Sequence, residues 1–377
     1  MRTSHLTSIM QAALRHERCC PRSIRYVAFA ASLLLAGCAA IGPHQLPADR
    51  FDYGAAIALS TNEQMLLNLV RLRYNETPVF LDVNTVIAQY QFDARAQVGG
   101  EIGFSGSAGP PGDSLVIPEL GAGWSEKPTI TYAPRSGPKF IRSLLTPLPP
   151  LAVVGLIQGN WPVEDVVWGV VRSINGVAPR SAVTDQWNPD YRRMLDALAQ
   201  VQRARALGIV SDGDARTSPT LKFRAAGGDN RTAKAITTLR EVWGLNQQTD
   251  EYRLVLGALS RNTEEIAMLT TSMLDLMRDI AALIEVPAEH VAQGESEPTV
   301  RLPAEAPYGG RAPIRIQLHR DRPIDAFVAV RKDDWWYSIA RNDLRSKRVL
   351  LLLNVLFQLA EGGEHPAGPV ITVPAGG

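Results

Sequence analysis

The sequence has little cysteine, no excess of charge of one sign and no apolar run long enough to span a bilayer as a helix. Lys and Arg number 39 against 38 Asp and Glu in 377 residues, so no global field recruits nucleic acid or an anionic surface. Apolar residues make up 45% and charged residues 20%, which excludes a disordered or polytopic membrane protein. The length predicts a packed body of two domains, or of one domain with large insertions.

Motifs of catalysis and metal binding are also missing. Gly103 to Ser107 lacks the last Gly of a nucleophile elbow, and no phosphate-binding loop of the type G-x-x-x-x-G-K-[ST] occurs. The His residues after residue 37 are widely spaced, and Asp212 to Asp214 lacks the later Glu of a calcium loop. The sequence therefore predicts no catalytic residue, no cofactor and no metal site, and it favours a protein that is not an enzyme.

The first 37 residues have the order of a targeting signal. A basic segment is followed by the uncharged run from Tyr26 to Ala36, which has the length of a signal core and is too short for a membrane-spanning helix. Next comes Leu35-Ala36-Gly37-Cys38, which resembles the lipobox of bacterial lipoproteins. The resemblance implies that residues 1–37 are removed and that the Cys38 thiol is lipidated.

The residue after the lipobox Cys is Ala39. An Asp at that position commonly retains Gram-negative lipoproteins in the inner membrane, so Ala39 implies sorting to the outer membrane by the same resemblance. The expected location is the outer membrane facing the periplasm, with the inner membrane and the cell surface as open alternatives. The expected partners are the membrane, through the lipid on Cys38, and an envelope protein, without nucleic acid.

Cys19 and Cys20 leave with the signal, so Cys38 is the only thiol of the mature chain. No disulfide within the mature chain is then possible. A protein exported to an oxidising compartment must in this case rely on its core alone.

Composition and periodicity divide the mature chain into segments. Residues 38–58 predict a tether, residues 59–285 the main body, 286–312 a linker and 313–377 a small C-terminal unit. Within the body, Ser60 to Glu63 has the form of a capping box, which predicts a helix over about 60–74. Apolar stripes at helical spacing predict further helices within 163–174, 189–207 and 270–285.

A long alternating segment from Val86 to Val98 predicts an amphipathic strand, and a second extended segment runs through Trp124 and Tyr132. Together they predict a β-hairpin over 86–132. We expect its apolar face to pack on a soluble core. The alternative is a hairpin that several protomers donate to an oligomeric membrane pore, although Pro128 interrupts the second arm.

The C-terminal unit predicts the order β-β-β-α-β. Its strand segments are 314–318, 326–330, 335–339 and 369–373, and its helix begins at Asn342 or Asp343 and runs to about Ala360. Trp335 and Tyr337 alternate with Trp336 along one strand, which favours core packing over a sugar-binding platform.

The fold class expected from these elements is α+β, with a helix-rich centre, an amphipathic hairpin and a C-terminal β-β-β-α-β unit. The expected function is a lipid-anchored structural or interaction module of the cell envelope. Two alternatives stay open, namely an oligomeric export or pore component that uses the 86–132 hairpin, and an envelope hydrolase with a dispersed site.

Overall fold

The computed structural model describes residues 46–87, 90–98, 118–126, 129–180, 186–210 and 219–361. The chain divides by compactness into residues 1–61 and residues 62–377. In the first unit the described residues are helical, and the described sheets belong to the second unit. The class is α+β, as the sequence predicts.

The secondary-structure elements of the described residues are named here in chain order. The helices are α1 Leu46–Arg73, α2 Pro138–Leu145, α3 Pro150–Gln158, α4 Val163–Val170, α5 Pro189–Arg203, α6 Asn230–Val242, α7 Met273–Ala281, α8 Ala288–Ala292 and α9 Leu344–Glu361. The strands are β1 Phe80–Ile87, β2 Tyr90–Val98, β3 Pro118–Glu126, β4 Thr129–Arg135, β5 Val171–Ile174, β6 Leu207–Val210, β7 Thr220–Phe223, β8 Glu251–Leu256, β9 Glu265–Thr270, β10 Gln317–His319, β11 Ala326–Lys332 and β12 Trp335–Ala340.

Helix α1 is longer than the sequence pattern predicts. It begins at Leu46, so residues 46–58, which the pattern assigns to the tether, are helical. Pro47 lies in the first turn, where its missing N–H leaves no helical hydrogen bond unmade, and the Ala-rich run after Gly54 favours a helix. The capping box at Ser60 therefore lies inside the helix and does not start it.

The middle of the chain folds around a five-stranded sheet that the sequence pattern does not predict. Its strand order is β5-β9-β8-β7-β6, with β8 and β9 parallel and the other neighbours antiparallel. The apolar stripe over 163–174 predicts one helix, but α4 ends at Val170 and the chain continues as β5. Val171 is extended, a conformation that suits its β-branched side chain.

Two of the predicted helices are confirmed with their caps. Helix α5 begins at Pro189, after Asn188, whose side-chain oxygen accepts a hydrogen bond from the backbone N–H of Asp190 at 3.0 Å. It ends at Arg203, and Leu207 already belongs to β6. Helix α7 lies inside the segment predicted over 270–285, and its Met273 is buried in the core as expected.

The C-terminal unit is confirmed over its described part. Strands β10, β11 and β12 form an antiparallel sheet in the order β10-β12-β11, and helix α9 follows. The first strand begins at Gln317, so residues 314–316 of the segment predicted over 314–318 are not part of it. Asp343 caps α9, because its Oδ1 accepts from the backbone N–H of Ser346 at 3.0 Å. The predicted last strand over 369–373 lies outside the described residues.

Residues 286–312 are largely irregular, but they are not a free linker. Arg73, at the end of α1, donates from Nε to the carbonyl oxygen of Ile284 at 3.0 Å and from Nη2 to that of Glu297 at 2.6 Å. Further along, the Tyr308 hydroxyl donates to the buried carboxylate of Asp165. Buried polar contacts of this kind fix the segment against the rest of the second unit.

Strands β1 to β4 form two antiparallel pairs that follow one another along the chain, and we use the name ribbon for these four strands. Strand β1 pairs with β4 and β2 pairs with β3, and the pairings of Val86 with Ile130 and Tyr90 with Glu126 belong to one continuous register. At about 3.3 Å per residue the part made of β1 and β4 is about 25 Å long and the part made of β2 and β3 about 30 Å. The predicted hairpin is thus confirmed, and its arms extend further at the base than residues 86 and 132.

The packing expected for the apolar face of 86–98 on a soluble core concerns side chains that, beyond residue 87, lie outside the described ones, so the exposure given next is that of the ribbon base alone. Among the described strands, none pairs with the outer edge of either arm. Residues 129–132 are exposed one after another, on both faces of β4. The core of the body therefore does not cover this part of the ribbon.

Candidate functional site

The base of the ribbon is held by two side-chain amides of helix α1. Gln64 accepts from the backbone N–H of Leu81 at 2.7 Å and donates to its carbonyl oxygen at 3.2 Å. One helical turn later, Asn68 accepts from the N–H of Val79 at 2.9 Å and donates to its carbonyl oxygen at 2.7 Å. Residues four apart lie on one helix face, so the two amides pair with the chain as a neighbouring strand would.

Aromatic and ionic contacts fix the same base from its other side. Phe80 is buried and stacks on Phe357 of α9 at a centroid distance of 4.3 Å. Arg135, the partner of Phe80 in the register, binds Asp82 with two hydrogen bonds of 2.5 and 2.6 Å and also pairs with Glu361. The bidentate pair holds β1 and β4 together, and the contacts of Arg135 with Glu361 and of Phe80 with Phe357 hold the ribbon base on α9.

A β-bulge at Asn84 decides which residues of β1 lie on each face of the ribbon. The register pairs Val83 with Tyr132 and Thr85 with Thr131, so Asn84 has no partner of its own. Beyond one extra residue, the even-numbered and odd-numbered positions of that strand change faces. Phe80 lies before the bulge, on the face that packs on the body. Beyond the bulge, the even-numbered positions from residue 86 onward lie on the opposite face.

That outward face carries an exposed apolar patch, which we call the ribbon patch. It consists of Val79, Leu81, Ile130 and Tyr132, each between 40% and 56% exposed. The register places Leu81, Ile130 and Tyr132 on one face, since Tyr132 is opposite Val83 and Ile130 is opposite Val86. Clustered apolar exposure of this kind marks an interaction surface more often than isolated exposed side chains do.

The register carries the same face into the distal half of the ribbon. The positions that continue from Val86 are 90, 92, 94, 96 and 98 in β2, opposite 126, 124, 122, 120 and 118 in β3. In the sequence all but Glu126 of these positions are apolar residues. The ribbon patch therefore lies at the base of a face whose sequence stays apolar to the end of the described arms.

A buried network of hydroxyls joins α1 to the C-terminal sheet. The Tyr74 hydroxyl lies 2.8 Å from both the Tyr337 hydroxyl and Nδ1 of His290, and the Lys332 ammonium lies over the Tyr74 ring. Burial raises the pKa of Tyr74 and of Tyr337, and the hydrogen bond between them raises that of Tyr337 further. The network stabilises packing, because each of its groups is already hydrogen-bonded or ion-paired.

The nearest arrangement to a hydrolase site is a Ser–His contact in the small sheet. The Nε2 atom of His319 lies 3.0 Å from the Ser338 hydroxyl, beside a cavity of about 560 Å³. Ser338 is 1% exposed, and within the described residues no carboxylate is hydrogen-bonded to the other ring nitrogen of His319. A nucleophile needs an oriented base and access to the substrate, so this pair does not assemble a catalytic site.

The two residues that the sequence assigns to anchoring and sorting, Cys38 and Ala39, lie outside the described residues. Within the part of the chain that is described, no helix combines the length and apolarity needed to cross a membrane. The same part has no group of three or more His, Cys, Asp or Glu side chains placed to hold a metal ion.

The residues that build the ribbon base are not predicted from the sequence. Gln64 and Asn68 stand four apart on a helix, a spacing that is visible in the sequence, but polar pairs at this spacing are common on helices. Arg135 and Asp82 carry no sequence signal that they pair.

Comparison with known proteins gives no relative for this chain. No protein-family model, no curated protein sequence and no solved structure matches it.

Proposed function

We propose that this protein is a lipid-anchored structural or interaction module of the cell envelope, and that it contacts its partner through the ribbon. The anchor is the lipid on Cys38, and Ala39 directs the protein to the outer membrane with its body in the periplasm. The observation that carries the contact role is the exposed ribbon patch on an arm that is fixed at its base and has no partner strand at its outer edges among the described strands.

The energetics of a lone ribbon support this role. An isolated two-stranded hairpin is marginally stable in water, and unpaired strand edges promote aggregation. This chain nevertheless holds the ribbon base with the amides of Gln64 and Asn68 and with the Arg135 carboxylate pairs. A docking element needs an apolar outward face and restraint at its base. The restraint lowers the conformational entropy that is lost on binding.

The targeting sequence supports the anchoring part of the proposal. Several acyl chains on one Cys give stable attachment, whereas a single chain gives marginal and reversible binding. Metabolic labelling with a palmitate analogue should mark the native protein and not the Cys38→Ala variant. Labelling of that variant, or its retention in membranes after extraction of peripheral proteins, would overturn the anchoring.

The location is tested by fractionating membranes on a sucrose gradient. We expect the native protein with outer-membrane markers and the Ala39→Asp variant shifted toward the inner membrane. Sedimentation of the native protein with the inner membrane would contradict the proposed sorting.

The contact role is tested by site-specific photo-crosslinking in cells that express the full chain. A photoreactive residue replaces Tyr132 in the ribbon patch, and a matched control replaces Leu259, which is 75% exposed on the body. We expect a discrete adduct from position 132 and none from position 259. Adducts from position 259 alone, or from neither position, would contradict a partner at the ribbon.

A second candidate function is an oligomeric export or pore component, in which ribbons of several copies pair with one another. It is favoured by one observation, that both outer edges of the ribbon lack a partner strand among the described residues. The crosslinking experiment separates the two candidates. An adduct with another copy of the chain supports the oligomer, and an adduct with a different protein supports the module.

A further inference from the structure

The C-terminal unit carries a groove beside its three-stranded sheet. It measures about 600 Å³ and is lined on one side by the continuous segment from Arg311 to His319, which includes β10. Asp343, Arg345 and Ser346, at the start of α9, line it as well, and the Ser346 hydroxyl accepts a hydrogen bond from the backbone N–H of Arg315 at 2.8 Å. This surface is separate from the ribbon patch, so a role for the groove does not depend on the contact role proposed for the ribbon.

Three residues of the segment that lines the groove, those of β10, offer an open backbone edge. Strand β10 is an outer strand of the sheet β10-β12-β11, and among the described strands it pairs with β12 alone. Ile314 and Ile316 turn into the core, which leaves Arg315 between them exposed. A strand edge beside a groove is the geometry in which an extended peptide adds to a sheet.

Three arginines line the groove without a carboxylate partner. Arg311, Arg315 and Arg345 form no ion pair within 4.0 Å in the described part of the chain, although many other arginines there do. The groove also has two carboxylates. That of Asp343 is already bound to the N–H and hydroxyl of Ser346, and Glu285 is the other.

Two of these arginines are positioned in advance by Tyr308. Its carbonyl oxygen accepts from Nε of Arg311 at 3.2 Å, and the guanidinium of Arg345 lies 4.3 Å from the centre of its ring. Tyr308 is itself fixed by the hydrogen bond from its hydroxyl to Asp165, which also pairs with Arg348. The arginines therefore lose less freedom on binding an anion than arginines on a mobile loop.

A glycine makes the turn that carries the chain into the groove. Gly310 has a φ of +73°, and a Cβ there would lie 2.7 Å from the carbonyl oxygen of Pro303. Both observations exclude a larger residue at this position. The direction in which Arg311 enters the groove is thus set by the backbone.

We infer that this groove binds an extended acidic peptide of a partner protein, which adds as a strand to the open edge of β10 and pairs its carboxylates with the arginines. Three arginines at separate positions favour a peptide, which carries several carboxylates, over a single phosphate. Arg311 and Arg315 lie in the irregular segment that precedes β10, and Arg345 lies in the first turn of α9. Bidentate pairing with arginine suits the carboxylates of such a peptide.

The probe for the test is a fluorescein-labelled ten-residue peptide in which Val and Glu alternate, titrated against the full mature chain and followed by fluorescence anisotropy. Arg315→Glu should weaken binding by about tenfold or more, as expected for reversing one charge of a desolvated pair. The matched control is Arg301→Glu, an exposed arginine that does not line the groove, and it should change binding by less than about twofold. A peptide with Gln in place of Glu should bind as weakly as the Arg315→Glu variant does.

Strand addition is tested separately from charge. A peptide with alternate backbone nitrogens methylated keeps its carboxylates but cannot pair with a strand edge, and we expect it to lose binding. Hydrogen exchange at residues 316–319 should slow when the unmethylated peptide is bound. Should Arg315→Glu fail to fold, Arg345→Gln gives the same test from the start of α9.

Three results would overturn the inference: equal binding of the methylated peptide, unchanged binding by the Arg315→Glu variant, or binding of inorganic phosphate or anionic vesicles that displaces the peptide at lower concentration. Each of them would leave the ribbon proposal untouched, because the crosslinking at position 132 is measured independently.

Discussion

The buried side chain of Asn68 binds both backbone groups of Val79, as donor to its carbonyl oxygen at 2.7 Å and as acceptor from its N–H at 2.9 Å. A buried amide has no water to replace a lost partner, so each of these bonds contributes more than an exposed one. The pair is therefore the part of the ribbon base on which stability depends most.

We expect Asn68→Ala to lower the free energy of unfolding by about 2–3 kcal/mol, since it removes two hydrogen bonds and leaves backbone groups unpaired. Gln64→Ala removes the equivalent bonds of Leu81 at an exposed site and should cost less than about 1 kcal/mol. Urea denaturation of both variants checks the difference. Equal losses would contradict the view that the buried amide dominates.

The bulge at Asn84 allows the outward face to be exchanged by a single insertion. One residue inserted between Thr131 and Tyr132 gives Asn84 a partner, which turns Ile130 to the opposite face. Deleting Asn84 also removes the bulge but leaves the faces unchanged. We expect a photo-crosslink placed at position 130 to be lost with the insertion and kept with the deletion.

The crosslink from position 132 serves as the control, because Tyr132 lies on the body side of the bulge and should react in both variants. Retention of the position 130 crosslink after the insertion would show that the partner does not recognise one face.

Stability should fall at alkaline pH because of the Tyr74 and Tyr337 pair. The pKa of both hydroxyls is raised in the folded protein, chiefly by burial, above the ordinary tyrosine value of about 10. The unfolded chain therefore loses these protons first, so their contribution is complete below about pH 10 and declines as the pH rises further.

Urea denaturation at a series of pH values from about 9 to 11 measures this decline. Tyr74→Phe should make it shallower, whereas Tyr132→Phe, which removes an exposed hydroxyl, should leave it unchanged. The same slope in both variants would show that the buried pair does not contribute.

Helix α9 supplies a matched pair of leucines. Leu353 is buried and Leu351 is 54% exposed, although both lie in the same apolar run. Leu353→Ala should cost about 2–5 kcal/mol and Leu351→Ala less than about 1 kcal/mol, measured by thermal or urea denaturation. Truncation after Ile339, which removes the whole helix, should give an aggregated or degraded product, and a soluble product with an unchanged melting transition would contradict this.

The sequence predicts those elements whose periodicity is long and regular. The alternation that starts at Val86 predicts the hairpin, because apolar and polar residues alternate over many positions. The Asn188-Pro189 start predicts α5, because it precedes an apolar stripe at helical spacing. The C-terminal strands and α9 are predicted for the same reason. In each case local preference and tertiary structure agree.

The five-stranded sheet is not predicted because its strands are only four to six residues long. In so short a segment the two-residue period of a strand cannot be distinguished from the 3.6-residue period of a helix. Val171 shows the difficulty, since its position on the apolar stripe fits a helix and its pairing with Thr270 makes it a strand. The secondary structure of such residues is decided by pairing with a distant segment, which a short window of sequence does not contain.

The candidate site escapes prediction for a different reason. Asn84 is an ordinary polar residue in the sequence, and its role comes from the missing partner between Thr131 and Tyr132 on the other arm. The open edge of β10 likewise depends on strand order, so the arginines beside it appear in the sequence as solvated charges.

The unpartnered residue at Asn84 constrains how the ribbon can change its length in evolution. Arms that lengthen by two residues each keep the outward face, whereas a single residue gained by one arm near the bulge exchanges it. Natural variants with a working ribbon should therefore differ in matched, even steps beyond Asn84. Odd differences should be confined to the connection between the arms, where no face has to be preserved.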